Sequence, residues 1–134
     1  MIRKTKKHRK WIKYLSEYYL TEGYYYDIKK HTTWIGWQAG NKTSMSTAVV
    51  YPEEDLCYLS AMVVLPEYRG KGLQRQHIRT RVKWAKCQNI SQVITCTHKY
   101  THASSNNLIR EGFELYEPDW RWAGPDYLYW SKSI

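Results

Sequence analysis

Two glycines separated by one residue lie among cationic side chains in the segment Arg69-Gly70-Lys71-Gly72-Leu73. An apolar stretch ends before them at Pro66, and a stretch with helical spacing begins directly after them. Glycine opens backbone conformations that other residues avoid and lets a ligand approach closely. The first N–H groups of a helix are unpaired and carry partial positive charge. The spacing therefore predicts a turn that holds a pyrophosphate on backbone N–H groups, with Arg69, Lys71 and Arg75 nearby.

The spacing of this turn matches neither a Walker A loop nor a dinucleotide-binding Gly-x-Gly-x-x-Gly sequence. A Gly-x-Gly turn between a strand and a helix is also compatible with a tight turn that binds nothing. That alternative stays open on the turn alone.

The bulk composition sets limits on the class of protein. The chain has 134 residues, 43% of them apolar, which predicts a single domain over residues 1–134. The formal net charge of +9 favours anionic partners: nucleic acid, an anionic membrane, an acidic protein or a phosphorylated cofactor. Three cysteines without a C-x-x-C pair support neither a disulfide framework nor a metal site. With no apolar run of membrane-spanning length, we expect a cytoplasmic protein that is not membrane-bound.

Hydrophobic periodicity predicts an α/β (α+β) fold of order β-α-β-β-β-α-β-α-β-β, with a mixed sheet and helices on both faces. The basic start of the chain, residues 1–13, is read as a short strand followed by a helix, with a nucleic-acid-binding arm as the alternative. The predicted strands are 33–38, 46–51, 56–65, 92–97, 113–116 and 127–131, with a hairpin turn at Gly40-Asn41. The predicted helices are 9–20, 73–88 and 104–111, the last closed by Gly112.

Two segments resemble the GNAT superfamily of N-acetyltransferases. Residues 63–73 are similar to its signature, in which Gln or Arg is followed by two residues, Gly, one residue, and Gly or Ala. Arg69, Gly72 and Gln74 occupy those positions, and Gln74 departs from the small residue of the pattern. Residues 106–113 are similar to the family's helix and Gly-Phe turn, although Leu108 stands where many members have Tyr.

The resemblance implies a mainly antiparallel GNAT-like sheet and acetyl-CoA as cofactor, with CoA as the product. The pantetheine arm would enter between the fourth and fifth strands, and a main-chain N–H there would polarise the thioester carbonyl. The implied cofactor-binding residues are Met62, Val63, Val64, Arg69, Gly70, Lys71, Gly72, Leu73, Gln74, Arg75 and Asn106.

The resemblance also implies direct attack by a neutral amine on the thioester, which requires a base and an acid. His98 follows the fifth strand and is the expected base, because imidazole exchanges protons near neutral pH. Tyr116 is a candidate acid in place of the missing Tyr, and Glu54 is a candidate base acting through water. Cys96 and His98 would share a strand face, which leaves a thiol nucleophile as an alternative.

The acceptor is left open by the sequence: a small-molecule amine, a protein amine or aminoacyl-tRNA, on a monomer or a homodimer. The resemblance implies an acceptor cleft walled by aromatic side chains, which stack on rings and attract cations. These are Trp11, Tyr18, Tyr19, Tyr24, Tyr25, Tyr26, Trp34, Trp120, Trp122 and Trp130. Two other functions remain open: a GNAT scaffold that has lost its chemistry and binds nucleic acid or protein, and a domain whose glycine turn has no ligand.

Overall fold

A computed structural model of the chain describes residues 1–7 and 30–134, and in these residues one sheet of seven strands carries two α-helices on one face. The strands are β1 Ile2–Thr5, β2 Thr32–Gln38, β3 Asn41–Tyr51, β4 Leu56–Val64, β5 Gln92–His98, β6 Glu114–Leu115 and β7 Tyr127–Ser133. The helices are α1 Leu73–Cys87 and α2 His102–Arg110, and short 3-10 turns at Pro52–Glu54 and Pro66–Tyr68 flank β4.

The strand order across the sheet is β1-β2-β3-β4-β5-β7-β6. Neighbouring strands are antiparallel except β4 and β5, which are parallel. This mixed, mainly antiparallel sheet confirms the predicted fold class, although the two described helices share one face instead of covering both faces as predicted. The predicted helix at 9–20 lies outside the described residues.

The first hairpin differs in detail from the prediction. β3 begins at Asn41, five residues before the predicted start, because the turn consists of Ala39 and Gly40. Both residues have positive φ, 50° and 79°, which suits a two-residue hairpin turn and lets pairing begin at once. The chain can therefore pair Gln38 with Asn41 directly.

Helix α1 packs on the sheet through the predicted apolar residues Ile78, Val82 and Ala85, all buried. His77 and Arg81 are buried beside them, which the apolar pattern did not predict. They lie one helical turn apart, so both project toward the same part of β3 and β4. A second buried cluster, on the opposite face of the sheet, comprises Ile35, Met45, Ala61, Val63 and Leu65.

A β-bulge in β4 interrupts its pairing with β3. Ser46 pairs with Met62 and Ala48 with Leu59, so that two residues of β4, 60 and 61, lie opposite the one residue 47. The bulge changes which side chains face α1. Before it, Leu59 packs in the cluster under α1, and after it Ala61 packs in the cluster on the opposite face.

Within residues 1–7 and 30–134, no helix has the length and apolar character that crossing a membrane requires.

Candidate functional site

The parallel strands β4 and β5 separate along their length and leave a gap. They pair only from Leu56 opposite Gln92 to Tyr58 opposite Ile94. The hydroxyl of Thr95 then donates to the carbonyl oxygen of Leu59 at 2.8 Å. Beyond that bond, β4 continues to Val64 and β5 to His98 without pairing. The result is a wedge-shaped opening at the carboxyl ends of both strands.

Backbone groups of β4 face this gap. The N–H of Leu65 donates to the carbonyl oxygen of Thr43 at 2.9 Å, on the side of β3. Groups alternate between the two sides of a strand in an antiparallel ladder, so Val63 also faces β3, whereas Met62 and Val64 face the gap. Arg69 Nε donates to the carbonyl oxygen of Val64 at 3.0 Å, which agrees with this direction. Met62 and Val64, rather than Val63, present their polar groups to a ligand in the gap.

The glycine turn lies directly after the open end of β4. Gly70 and Gly72 have φ of 77° and 79°, in the left-handed region, and a Cβ at either position would meet no atom within 4 Å. The first helical bond of α1 runs from the N–H of Gln76 to the carbonyl oxygen of Gly72 at 3.1 Å. In the part of the chain that the structure describes, no N–H of residues 70–75 donates to another main-chain group. The turn is an open cradle of amide donors.

Two side chains of the turn are held away from it by α2 and the residue that follows. Gln74 Nε2 donates to Ser104 Oγ at 3.1 Å, and Gln74 Oε1 accepts from Asn107 Nδ2 at 2.7 Å. Arg75 Nε donates to Glu111 Oε1 at 2.8 Å. Because Gln74 is bound to α2, its departure from the small residue of the family pattern leaves the amide donors of the turn accessible.

On α2, the asparagine that contacts the glycine turn is Asn107 and not the predicted Asn106. Asn107 bonds Gln74, whereas Asn106 is exposed beside it. Leu108 is 4% exposed and belongs to the core cluster that includes Phe113. Leu108 is therefore a core residue, and this packing role accounts for an apolar side chain where many family members have the hydroxyl of Tyr.

His98 lies across the gap from the open part of β4. His98 is the last residue of β5 and lies beyond the bond from Thr95 to Leu59, at the open end of the gap. Its ring contacts Tyr127 and Tyr100, with centroids 5.3 and 5.4 Å apart. The N–H of Tyr100 donates to His98 Nδ1 at 3.3 Å, so the neutral ring carries its proton on Nε2.

On the face opposite α1, Cys96, Tyr129 and Tyr116 form a row of side chains that runs from β5 to the sheet edge. Cys96 pairs with Tyr129, and the N–H of Tyr116 donates to the carbonyl oxygen of Tyr129 at 2.9 Å. Burial raises the pKa of the Cys96 thiol above its ordinary value, while a bond to the Tyr58 hydroxyl lowers it in part. Burial also raises the pKa of Tyr116, and the neighbouring Cys96 adds to the rise. Both groups stay protonated at neutral pH, which disfavours Cys96 as a nucleophile.

The structure does not bring Glu54 to this row. Glu54 is exposed and precedes β4, whereas Met62 lies about 20 Å along the strand from its first residue, Leu56, at about 3.3 Å per residue. A carboxylate that the sequence analysis missed lies nearer: Asp126 forms an ion pair with Lys99 at 3.0 Å. Bonding to Lys99 lowers the pKa of Asp126, and His98 contributes to the lowering.

The described tryptophans divide between the two faces. Trp34 and Trp130 are 2% exposed and pack in the core cluster under α1, so they do not wall a cleft. Trp122 lies on the opposite face, with its ring centroid 5.9 Å from that of Tyr58 and 4.6 Å from that of Tyr129. Trp120 is 76% exposed. The predicted aromatic residues at 11–26 lie outside the described residues.

These features fit a ligand with an extended arm and a diphosphate: a gap with outward amides at Met62 and Val64, followed by a turn of free amide donors. A family model described as the acetyltransferase (GNAT) family matches residues 4–113. The chain belongs to this family, which uses acetyl-CoA as the acetyl donor. Among curated proteins, a sequence comparison finds no relative.

Solved structures of the same fold include several acetyltransferases. The IAA acetyltransferase from Bacillus cereus superposes with a TM-score of 0.76 at 12% identity, over 100% of this chain and 99% of that one. The ribosomal-protein-S18-alanine N-acetyltransferase from Escherichia coli gives 0.76 at 12% identity, over 100% and 94%. A streptothricin acetyltransferase from Bacillus anthracis, solved with acetyl coenzyme A, gives 0.67 at 16% identity, over 89% and 67%. At these identities the likeness shows the fold.

Proposed function

We propose that this protein transfers the acetyl group of acetyl-CoA to a primary amine by direct attack of the amine on the thioester. The observation that carries the proposal is the gap between β4 and β5, which leads from the amides of Met62 and Val64 to the turn at Gly70 and Gly72. A ligand that carries a thioester at one end of a long arm and a diphosphate at the other needs two such donor sites, one for each group.

The chain's own groups divide the work of binding. Amide N–H groups of residues 70–75 hold the diphosphate, supported by the partial positive charge at the start of α1. Lys71 lies over the ring of Tyr68, 5.6 Å from its centroid, at the edge of the turn. Met62 N–H donates to the thioester oxygen, where negative charge builds up as the amine attacks.

We assign proton transfer to the face opposite α1. Because His98 Nδ1 accepts from the N–H of Tyr100, we propose that Nε2–H of the neutral ring donates a hydrogen bond to the departing thiolate, which takes up the proton released by the attacking amine. This role differs from the base that the sequence predicts at His98. Tyr116 retains its proton and is a second donor, at the level of Cys96.

The class of acceptor amine is inferred from the aromatic side chains that surround Cys96. Tyr58, Trp122 and Tyr129 surround Cys96 with rings, and Arg121 covers the Tyr129 ring from outside at 5.0 Å. Such a surface binds an amine on an apolar or aromatic body better than a polycation. N-terminal amines of peptides and aromatic small-molecule amines are the classes to test.

The test is acetyl transfer from acetyl-CoA to a panel of such amines, followed by thiol release and by the mass of the product. We expect a product that resists hydroxylamine, as an amide does and an ester does not. His98→Gln and Tyr116→Phe should lower kcat with little change in the Kd of CoA, and Cys96→Ser should retain activity. Loss of activity in Cys96→Ser with trapping of an acetylated thiol in the native chain would refute direct attack. Binding of acetyl-CoA without transfer to any amine would favour a scaffold without catalysis.

A further inference from the structure

The β4 bulge is held by a hydroxyl that takes the place of a ladder acceptor. The N–H of Ala61 donates to Thr47 Oγ1 at 2.8 Å, and Thr47 Oγ1 lies 2.6 Å from Ser60 Oγ. Thr47 is fully buried. A buried N–H without an acceptor is costly, so this single hydroxyl stabilises the backbone path through residues 60 and 61.

A buried cation donates hydrogen bonds to two carbonyl groups at the bulge. Arg81 is 3% exposed, and its Nη1 donates to the carbonyl oxygen of Thr47 at 3.1 Å and of Ala61 at 3.5 Å. Its Nε donates to the carbonyl oxygen of His77 at 3.1 Å, which fixes the guanidinium relative to α1. Burying a guanidinium is costly unless such bonds compensate, so its position at the bulge is strongly determined.

The guanidinium acts on the peptide that presents Met62 to the gap. Ala61 C=O and Met62 N–H are opposite ends of one planar trans peptide. The carbonyl end accepts from Arg81, while the N–H end faces the gap between β4 and β5. A charge-assisted bond at a carbonyl polarises the peptide and strengthens its N–H as a donor. Arg81 and the gap are thus connected through one peptide unit.

We propose that Thr47 and Arg81 are positioning residues for acetyl transfer, which fix the bulge and strengthen Met62 N–H as the donor to the thioester oxygen. The inference rests on the proposed function. Neither side chain lies in the gap, so neither touches the ligand. The two act on the acetyl end of the ligand and not on the glycine turn, which begins six residues beyond Val64.

The test compares variants that keep the shape and differ in the hydrogen bond. Thr47→Val removes the acceptor of the Ala61 N–H, and Thr47→Ser retains it. We expect Thr47→Val to lower kcat about tenfold to a hundredfold, a part of the effect of deleting an oxyanion donor. The Kd of CoA, which has no thioester oxygen, should stay within about twofold of the native value, because the diphosphate cradle is untouched. Thr47→Ser should restore kcat. Arg81→Lys should keep more activity than Arg81→Met.

A spectroscopic readout separates positioning from general damage. The probe is a ketone analogue of acetyl-CoA in which a methylene replaces the sulfur, labelled with ¹³C at the carbonyl. Bound to the native protein, its carbonyl resonance should shift downfield, and in Thr47→Val and Arg81→Met most of this shift should be lost. An unchanged shift in both variants would overturn the inference, even if kcat fell. Failure of the native protein to bind the analogue would overturn the proposed function and the inference with it. A normal shift in the native protein without transfer to any amine would refute the proposed function and, with it, a role of Thr47 and Arg81 in acetyl transfer.

Discussion

Acidification should destabilise this protein through His77, which is held in its neutral form between β3 and α1. Its two ring nitrogens bond Ser46 Oγ at 2.6 Å and Ser44 Oγ at 2.7 Å, and the side chain is fully buried. Burial, with a contribution from the positive charge of Arg81, lowers the pKa of His77 from 6.5 to about 3. The folded state therefore binds a proton on this ring far less readily than the unfolded chain does.

The sign and size follow from the difference in pKa. Below pH 6.5 the unfolded chain takes up a proton at His77 and the folded state does not, so stability is full above that pH and falls as pH decreases toward about 3. Between about pH 7 and about pH 5.5, the free energy of unfolding should fall by about 1.3 kcal/mol. The carboxyl groups with lowered pKa, those of Asp55, Glu111 and Asp126, act mainly at lower pH.

The assay is urea unfolding at these two pH values in three proteins: the native chain, His77→Gln and His102→Gln. His102 is exposed and serves as the matched control. We expect His77→Gln to lose most of the pH-dependent change, whatever its absolute stability, and His102→Gln to behave as the native chain. An equal loss in native protein and His77→Gln would refute the reasoning.

Four further substitutions test particular parts of the structure. Gly72→Ala and Gly40→Ala place a Cβ at φ of 79° in open space, so each should cost about 1–2 kcal/mol in urea unfolding, but only Gly72→Ala should weaken acetyl-CoA binding in calorimetry. Equal affinities would contradict the position of the diphosphate site. Gly36→Ala would bring a Cβ against Ser44 Oγ and within 2.8 Å of Thr43 Oγ1, so unfolding should be easier by about 1–3 kcal/mol or more, and an unchanged midpoint would show that this packing is looser than described. Leu108→Tyr overfills a buried site and should lower stability by about 1–3 kcal/mol without raising kcat, whereas a gain in kcat would show that the missing hydroxyl limits the reaction.

The glycine turn could be predicted from sequence because its signal is local. A strand end, two glycines and a helix start follow one another within residues 64–73, and the structure retains this order. The inner face of α1 was predicted only in its apolar part. His77 and Arg81 share that face, but a polar residue is predicted to be buried only when its partners are known. Those partners, on β3 and β4, are more than 15 residues away in sequence.

The positions of the candidate catalytic side chains on the face opposite α1 depend on strand pairing, which the sequence does not show. Glu54 is next to β4 in sequence, yet the direction of the strand places it at the end away from the gap. Asp126 lies 28 residues after His98 and comes close to it only because β7 pairs with β5, with Tyr127 opposite His98. The bulge at residues 60 and 61 also has no sequence signature, although it decides which amides of β4 face the gap.

The most direct test of the central claim is calorimetric titration of the native protein with acetyl-CoA and with CoA, at low and at moderate salt. The Arg69→Ala/Gly72→Glu double variant is titrated alongside, after its folding has been verified by circular dichroism. We predict one saturable site in the native protein and none in the variant, because the added carboxylate would occupy the cradle and repel the diphosphate. No binding to the native protein at low salt, or equal binding to a folded variant, would contradict the assignment of the gap and the glycine turn as the acetyl-CoA site.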